Sequence, residues 1–161
     1  MKILITGANS STALKLSKAF KNYQIVLADY GDVPNLKSST YNLISLGAKN
    51  EETIAHNLLN FCLDQAVDVV LPIHSYEIEA VAKAEILFNE FNIKVLLPKA
   101  EELIHFHKSI NKPTNWAVFD SGNLLFSTDH LDFLTAQGKI KNLNGAFYFL
   151  KDENIFNLIT I

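Results

Sequence analysis

Four short, unbroken apolar runs punctuate the first hundred residues: KILIT (residues 2–6), QIVLAD (24–29), VDVVLPI (67–73) and KVLLP (94–98). None alternates between apolar and polar positions, as a strand with one wet face would. Continuous apolar strands need cover on both faces, and the segments between these runs carry helical spacing. The chain is therefore expected to build a parallel sheet by right-handed strand–helix–strand crossovers, with helices on both faces. Strands are placed at residues 2–6, 24–29, 67–72 and 94–97.

In the first expected helix Ala13, Leu16 and Phe20 share a face, Lys15, Lys18 and Lys21 lie elsewhere, and Ser10 or Ser11 caps the start. A second helix from about residue 51 buries Ile54, Leu58, Phe61 and Cys62. The third spans residues 76–91 with Ile78, Val81, Ala82 and Phe88 inward, and the fourth follows Pro98 with Leu103, Ile104 and Phe106. Residues 30–50 are rich in Asn, Ser, Gly and Pro and read as mostly irregular, with YNLISL either a strand or an anchored loop. From about residue 108 the pattern changes. WAVF and LLF flank the turn sequence DSGN, a helix is expected over 129–137, and AFYFL and IFNLITI flank KDEN, which makes two hairpins. The fold class is α/β: a Rossmann-like three-layer domain with a parallel sheet over residues 1–110, then a small α+β appendage with hairpins over 111–161.

With 161 residues the chain supports one well-buried core and a small addition. A net charge of −3 gives no electrostatic footprint for nucleic acid. The single cysteine, Cys62, sits in an apolar helical stretch and reads as a buried thiol, in keeping with a reducing, cytoplasmic setting. Met1 leads directly into an apolar strand, no secretory leader is expected, and no run approaches the ~20 apolar residues of a membrane span.

The stretch ILITGANSSTALKLSKAF (residues 3–20) carries the chemistry most worth weighing. A turn from a first parallel strand into a helix lies at the carboxyl edge of the sheet, where backbone N–H groups and the helix dipole favour an anion. The candidates are Gly7, Asn9, Ser10, Ser11 and Thr12: if the loop retains an anion site for sulfate or phosphate, the amides of residues 9–12, aided by the Ser10 and Ser11 hydroxyls, form it. The dinucleotide fingerprint asks for three glycines here, but only Gly7 is present, with Ser10 and Ala13 in the other places. Asp29, about twenty residues on, either accepts from a ribose hydroxyl or is an ordinary strand-end residue. No tyrosine carries the Tyr-x-x-x-Lys spacing of a short-chain dehydrogenase. A tightly held dinucleotide is not expected.

Three segments in order, ILITGANSSTALKLSKAF, VDVVLPIHSYEIEAVAKA and IKVLLPKAEELIHFHKS, resemble the landmarks of the Rossmann-like domain that precedes the catalytic part of ATP-grasp enzymes, particularly the carbamoyl-phosphate-synthase-like ligases. The resemblance covers roughly residues 1–110. It implies that His74, Ser75, Glu77 and Glu79 face a substrate or the next domain; the same residues are also explained if Ser75 caps a helix and the glutamates favour its positive end. It further implies that Lys108 reaches toward nucleotide phosphates, and that Lys151, ending a strand about forty residues later, is the second family lysine. Residues 114–151 would then open an ATP-grasp fold. The glycine-rich loop expected next is replaced by DENIFNLITI, and the later magnesium ligands do not follow, so phosphoryl transfer by this chain alone is not expected.

His105 and His107 fall on different sides of a helix, and His56, His74 and His130 lack partners at ligand spacing, so no metal site is assigned. No catalytic residue is assigned either. The leading expectation is a stand-alone or split-off domain that binds an ATP-grasp catalytic chain or a small ligand, with ATP and magnesium entering only through such a partner. The alternative is an NAD(P)-binding protein of the sugar-nucleotide epimerase type. A homodimer pairing its tail hairpins is compatible with both. Neither nucleic acid nor membrane is expected as a partner.

Overall fold

The computed structural model describes residues 1–107, 115–129 and 132–161. They form an α/β protein with a mixed, mostly parallel sheet, a separate antiparallel sheet and helices. Two compact units divide the chain: Met1–Val95 with Thr160–Ile161, and Leu96–Ile159.

The first unit contains β1 (Lys2–Thr6), α1 (Ser11–Ser17), β2 (Gln24–Asp29), β3 (Leu36–Lys37), β4 (Asn42–Ser45), α2 (Ile54–Asp64), β5 (Val69–Leu71), α3 (Ser75–Lys83), α4 (Glu85–Glu90) and β6 (Lys94–Val95). The sheet order is β3-β4-β2-β1-β5-β6. All neighbours pair in parallel except β3, a two-residue edge strand antiparallel to β4. Ile3, Leu4 and Ile5 are consecutive in β1 and all fully buried, so both faces of the central strand are covered. The chain moves outward from β1 to β2 and β4, then returns to the other side of β1 as β5. That reversal is a topological switch point, beside which open α/β sheets place their ligands.

The second unit holds a 3-10 run at Ala100–Phe106, β7 (Trp116–Asp120), β8 (Asn123–Ser127), α5 (Asp132–Ile140), β9 (Gly145–Leu150) and β10 (Ile155–Leu158). Its strands are ordered β10-β9-β7-β8 and are all antiparallel. Ser121 and Gly122 both have positive φ, 48° and 82°, the twist a two-residue hairpin loop needs.

Several local expectations are corrected. YNLISL forms a genuine strand, β4, paired in parallel with β2, because Leu43 and Ile44 find half-buried sites beside Leu27 and Ala28. The third helix is interrupted at Ala84, where ψ opens to 5°, giving α3 and α4 in its place. Its four inward residues are nonetheless buried. The fourth helix is a 3-10 run, whose three-residue turn keeps Leu103 buried but leaves Ile104 76% exposed. In α2, Leu59 takes the buried position expected for Phe61, which stays half-buried.

Helices α2 and α4 end alike. Val67 N–H reaches back to Cys62 O and Ala66 N–H to Leu63 O; Ile93 N–H reaches Phe88 O and Asn92 N–H reaches Asn89 O. Each is a Schellman closure, with Ala66 (φ 50°) and Asn92 (φ 59°) in the left-handed position. Asn tolerates that conformation, whereas Ala suffers about 1–2 kcal/mol of Cβ crowding. Ala66 is exposed, so removing its methyl sacrifices no packing. The extra freedom of glycine in the unfolded chain costs about 0.4–1 kcal/mol. Ala66→Gly should therefore stabilise the protein by about 0.5–1 kcal/mol, read as a higher urea midpoint at unchanged slope; a lower midpoint would contradict the assigned geometry.

Candidate functional site

Because β1, β2 and β5 run in parallel, the residues that end them meet at one edge of the sheet. Thr6 closes β1, Asp29 closes β2 with Tyr30 next, and Ile73 and His74 follow β5. Helix α3 then starts from His74, whose extended backbone (φ −70°, ψ 129°) makes it the N-cap. Ser75 is thus the first helical residue rather than the cap, and its N–H donates to Ile161 O at 3.0 Å. Glu77 points inward from the first turn and is fully buried, while Glu79 faces solvent and pairs with Lys83 one turn on.

Two carboxylates organise this edge. Glu77 Oε2 accepts from the Thr6 hydroxyl at 2.6 Å, Oε1 accepts from the Tyr30 hydroxyl at 2.6 Å, and His74 N–H lies 3.4 Å from Oε2. The Thr6 oxygen in turn accepts from Ile73 N–H at 2.9 Å. Asp29, 6% exposed, accepts from Asn9 N–H (2.9 Å), Tyr30 N–H (2.9 Å) and His74 Nε2 (2.8 Å). The last contact places a proton on Nε2. Around these groups His74 stacks on Tyr76 at 4.7 Å, Tyr30 tilts toward both rings, and the Lys49 ammonium stands 4.2 Å above the Tyr76 face.

Burial raises the Glu77 carboxyl above its ordinary range, partly opposed by the Thr6 and Tyr30 hydrogen bonds. Burial, then the Glu77 charge, drives the Tyr30 phenol strongly upward, and Tyr76 is raised by the same two causes in that order. Both phenols stay protonated, and Tyr30 donates to Glu77. Away from this edge, burial pushes the Cys62 thiol up to about 12, leaving it unreactive.

The β1–α1 loop is turned inward on the same edge. Asn9 gives its N–H to Asp29, and Ser10 gives its own to Gly7 O at 2.9 Å. The Ser10 hydroxyl accepts from Ala13 N–H and donates to Gly7 O, so Ser10 is the cap of α1, Ser11 opens the helix and is exposed, and Thr12 is half-buried. Gly7 has φ +74°, and a Cβ there would stand 2.5 Å from Ile161 Cδ1 and 3.0 Å from the Ile73 side chain. Ile161 N–H also donates to Ile73 O, so residues 160–161 lie along the segment leading into α3.

Of the residues singled out from sequence, Gly7, Asn9, Ser10, Asp29, Ser75, His74 and Glu77 lie along this edge. Lys151 belongs to the second unit, exposed at the first position of the turn between β9 and β10, and Lys108 falls outside the described residues. Thr6, Tyr30, Tyr76, Lys49 and Ile161 were not anticipated. A usable signal existed for the first two: each immediately follows, or closes, the apolar part of a parallel strand, and therefore sits at the carboxyl edge.

Chemically the cluster is self-contained. Among the described residues no buried side-chain nitrogen or oxygen lacks a partner, and no three His, Cys, Asp or Glu side chains gather so as to hold a metal ion. No helix among them is long and apolar enough to cross a membrane. No protein-family model matches the chain, and no curated protein matches it.

Two outcomes follow from this geometry. Unfolded, Glu77 titrates near 4.5; folded, it holds its proton to higher pH. Between those values the folded chain keeps a proton that the unfolded chain has lost, so this group makes stability fall as pH rises. Glu77→Gln cannot ionise and should flatten that slope from pH 4.5 upward in thermal melts; parallel curves for variant and wild type would refute the burial argument. Separately, Gly7→Ala should cost about 1–3 kcal/mol through its positive φ and the crowding of Ile161. Combined with Ile161→Ala the losses should be less than additive in urea titrations, since the shorter side chain removes the clash but not the backbone strain.

Proposed function

We propose that this chain is a non-catalytic binding module of the Rossmann-like kind that precedes the catalytic part of ATP-grasp ligases, acting on a partner chain or a small ligand at the carboxyl edge of its parallel sheet. The observation that carries this reading is the mutual satisfaction of Asn9 N–H and Asp29, 2.9 Å apart. In a dinucleotide-binding domain the loop amides would face a pyrophosphate and the strand-end acid a ribose hydroxyl. Here each is the other's partner. Ile73 and Ile161 also crowd the bare side of Gly7, where a Cβ would meet them at 3.0 and 2.5 Å. These residues do not fit NAD(P) without rearrangement, which weighs against the epimerase-type alternative.

The strand order supports the same reading, because the cluster lies beside the reversal of direction between β1 and β5. For ATP, the turn after Lys151 is the deciding feature. Four residues, 151–154, join β9 to β10, closed by Asn154 N–H to Lys151 O at 3.2 Å. A tight turn of this length offers no flexible cover for a triphosphate and no row of free amides to grip one. Lys151 alone, exposed in that turn, supplies a single charge.

Calorimetry and thermal melts with ATP and magnesium, NAD and NADP test the proposal. A ligand at ~100 times its dissociation constant stabilises a fold by about 2.7 kcal/mol, a shift of several degrees. No such shift is expected with any of the three. Micromolar ATP affinity lost on Lys151→Ala would replace the binding module with an active nucleotide site. A shift with NAD or NADP abolished by Asp29→Ala would favour the dinucleotide reading.

A further inference from the structure

The carboxyl edge of the sheet is closed by its own hydrogen bonds, but the opposite edge of the first unit is open. Gln24 begins β2 there, bonded to Met1 O, and the chain just before it has left α1 through the short turn containing Lys18 and Phe20. A cavity of about 440 Å³ lies between this turn and the loop that leads into β4. A second depression of about 360 Å³ shares Tyr23, Ile25 and Ser39–Tyr41 with it, so the two make one groove. The volume is that of a small-molecule site.

The lining has a definite chemistry. Leu14 and Ile25 supply an apolar floor, Tyr23 and Tyr41 aromatic walls, and Lys18 and Lys21 two ammonium groups. No Asp or Glu lines either part of the groove, and among the described residues neither lysine has a carboxylate within ion-pair distance. Positive charge is left uncompensated beside apolar surface. The walls are also held. Tyr23 meets the buried Phe20 ring edge-on, with centroids 5.5 Å apart. Tyr41 is pinned through its backbone: its N–H donates to Ser38 Oγ (3.1 Å), and its carbonyl accepts from Ser38 N–H (3.0 Å) and from the Ser38 hydroxyl (2.9 Å). Ser39 and Thr40 complete the lining.

We propose that this groove binds a small organic anion that carries a planar ring beside a phosphate or carboxylate group. The ring would lie against Tyr23 and Tyr41 over the apolar floor, where stacking and area burial act together. The anionic group would sit between Lys18 and Lys21, which recognise it as point charges without demanding a bidentate geometry. Neither half of the groove is sufficient alone: ammonium groups this exposed hold a free inorganic anion weakly, and the apolar floor is small. The site is independent of the carboxyl-edge cluster and of the reading given to it.

Phenyl phosphate, benzoate and inorganic phosphate are the probes, followed by amide chemical shifts of the isotopically labelled chain. Both aryl anions should give saturable shifts at Lys18, Lys21, Tyr23 and Ser39–Tyr41. Inorganic phosphate should not saturate over the same range. The double variant Lys18→Gln/Lys21→Gln should weaken aryl-anion binding by about tenfold or more, and added salt should weaken it further, whereas Lys83→Gln should leave it unchanged. Absence of saturable shifts with both aryl anions, equal binding of inorganic phosphate, or an unchanged dissociation constant in the double variant would each overturn the proposal. Both lysines are exposed, so the variant keeps its fold and the comparison stands.

Discussion

Two carboxylates, Asp29 and Glu77, hold the edge of the first unit together, and they do so through shared partners. Tyr30 gives its N–H to Asp29 and its hydroxyl to Glu77; His74 gives its ring to Asp29 and approaches Glu77 with its backbone N–H. Through these two residues β2 and the start of α3 are bound to each other, and through Thr6 and Asn9 both are bound to β1 and the loop after it. An unpaired carboxylate in such a place would cost several kcal/mol. Hydrogen bonds to charged groups return about 1.5–3 kcal/mol each, so the arrangement roughly breaks even and its value lies in fixing geometry. Loss of one donor is the damaging event, because the remaining charge stays buried.

Asp29 faces two backbone N–H groups, fixed by the loop and strand that carry them, and the His74 imidazole. Glu77 relies on two hydroxyls that can rotate, in a fully buried position, and burial therefore wins over hydrogen bonding in setting its affinity for a proton. The same burial keeps the Tyr30 phenol protonated, so it remains a donor to its neighbour.

Much of the first unit was legible in the sequence because the runs containing Ile3–Ile5 and Val69–Leu71 are apolar without alternation, as strands covered on both faces are. β4 was ambiguous for the converse reason: Asn42 and Ser45 bracket two apolar residues, and all four are only half-buried. The 3-10 geometry at Ala100–Phe106 and the interruption at Ala84 leave no mark in periodicity, since both are set by packing. The cluster itself was half-visible. Asp29, His74 and Glu77 stand out as polar residues at strand and helix ends, but the Thr6 and Tyr30 that complete it lie 71 and 47 residues from Glu77, a distance across which local pattern is silent. Ile161 is invisible for the same reason.

The β1–α1 loop shows why missing glycines need not mean a broken loop. In the dinucleotide fingerprint the first glycine makes the turn, the second lets pyrophosphate approach the backbone, and the third allows the helix close to the strand. Gly7 keeps the turn, with φ +74°, and gives its bare side to Ile73 and Ile161. Ala13, fully buried, is still small enough for α1 to lie against the sheet. Only the middle position departs in kind: Ser10 caps the helix with its hydroxyl and folds its N–H back onto Gly7 O. The two roles that serve packing are kept, and the one that serves a phosphate is given over to a side chain that closes the helix from within. The adjacent Asn9 amide then has Asp29 as its anion.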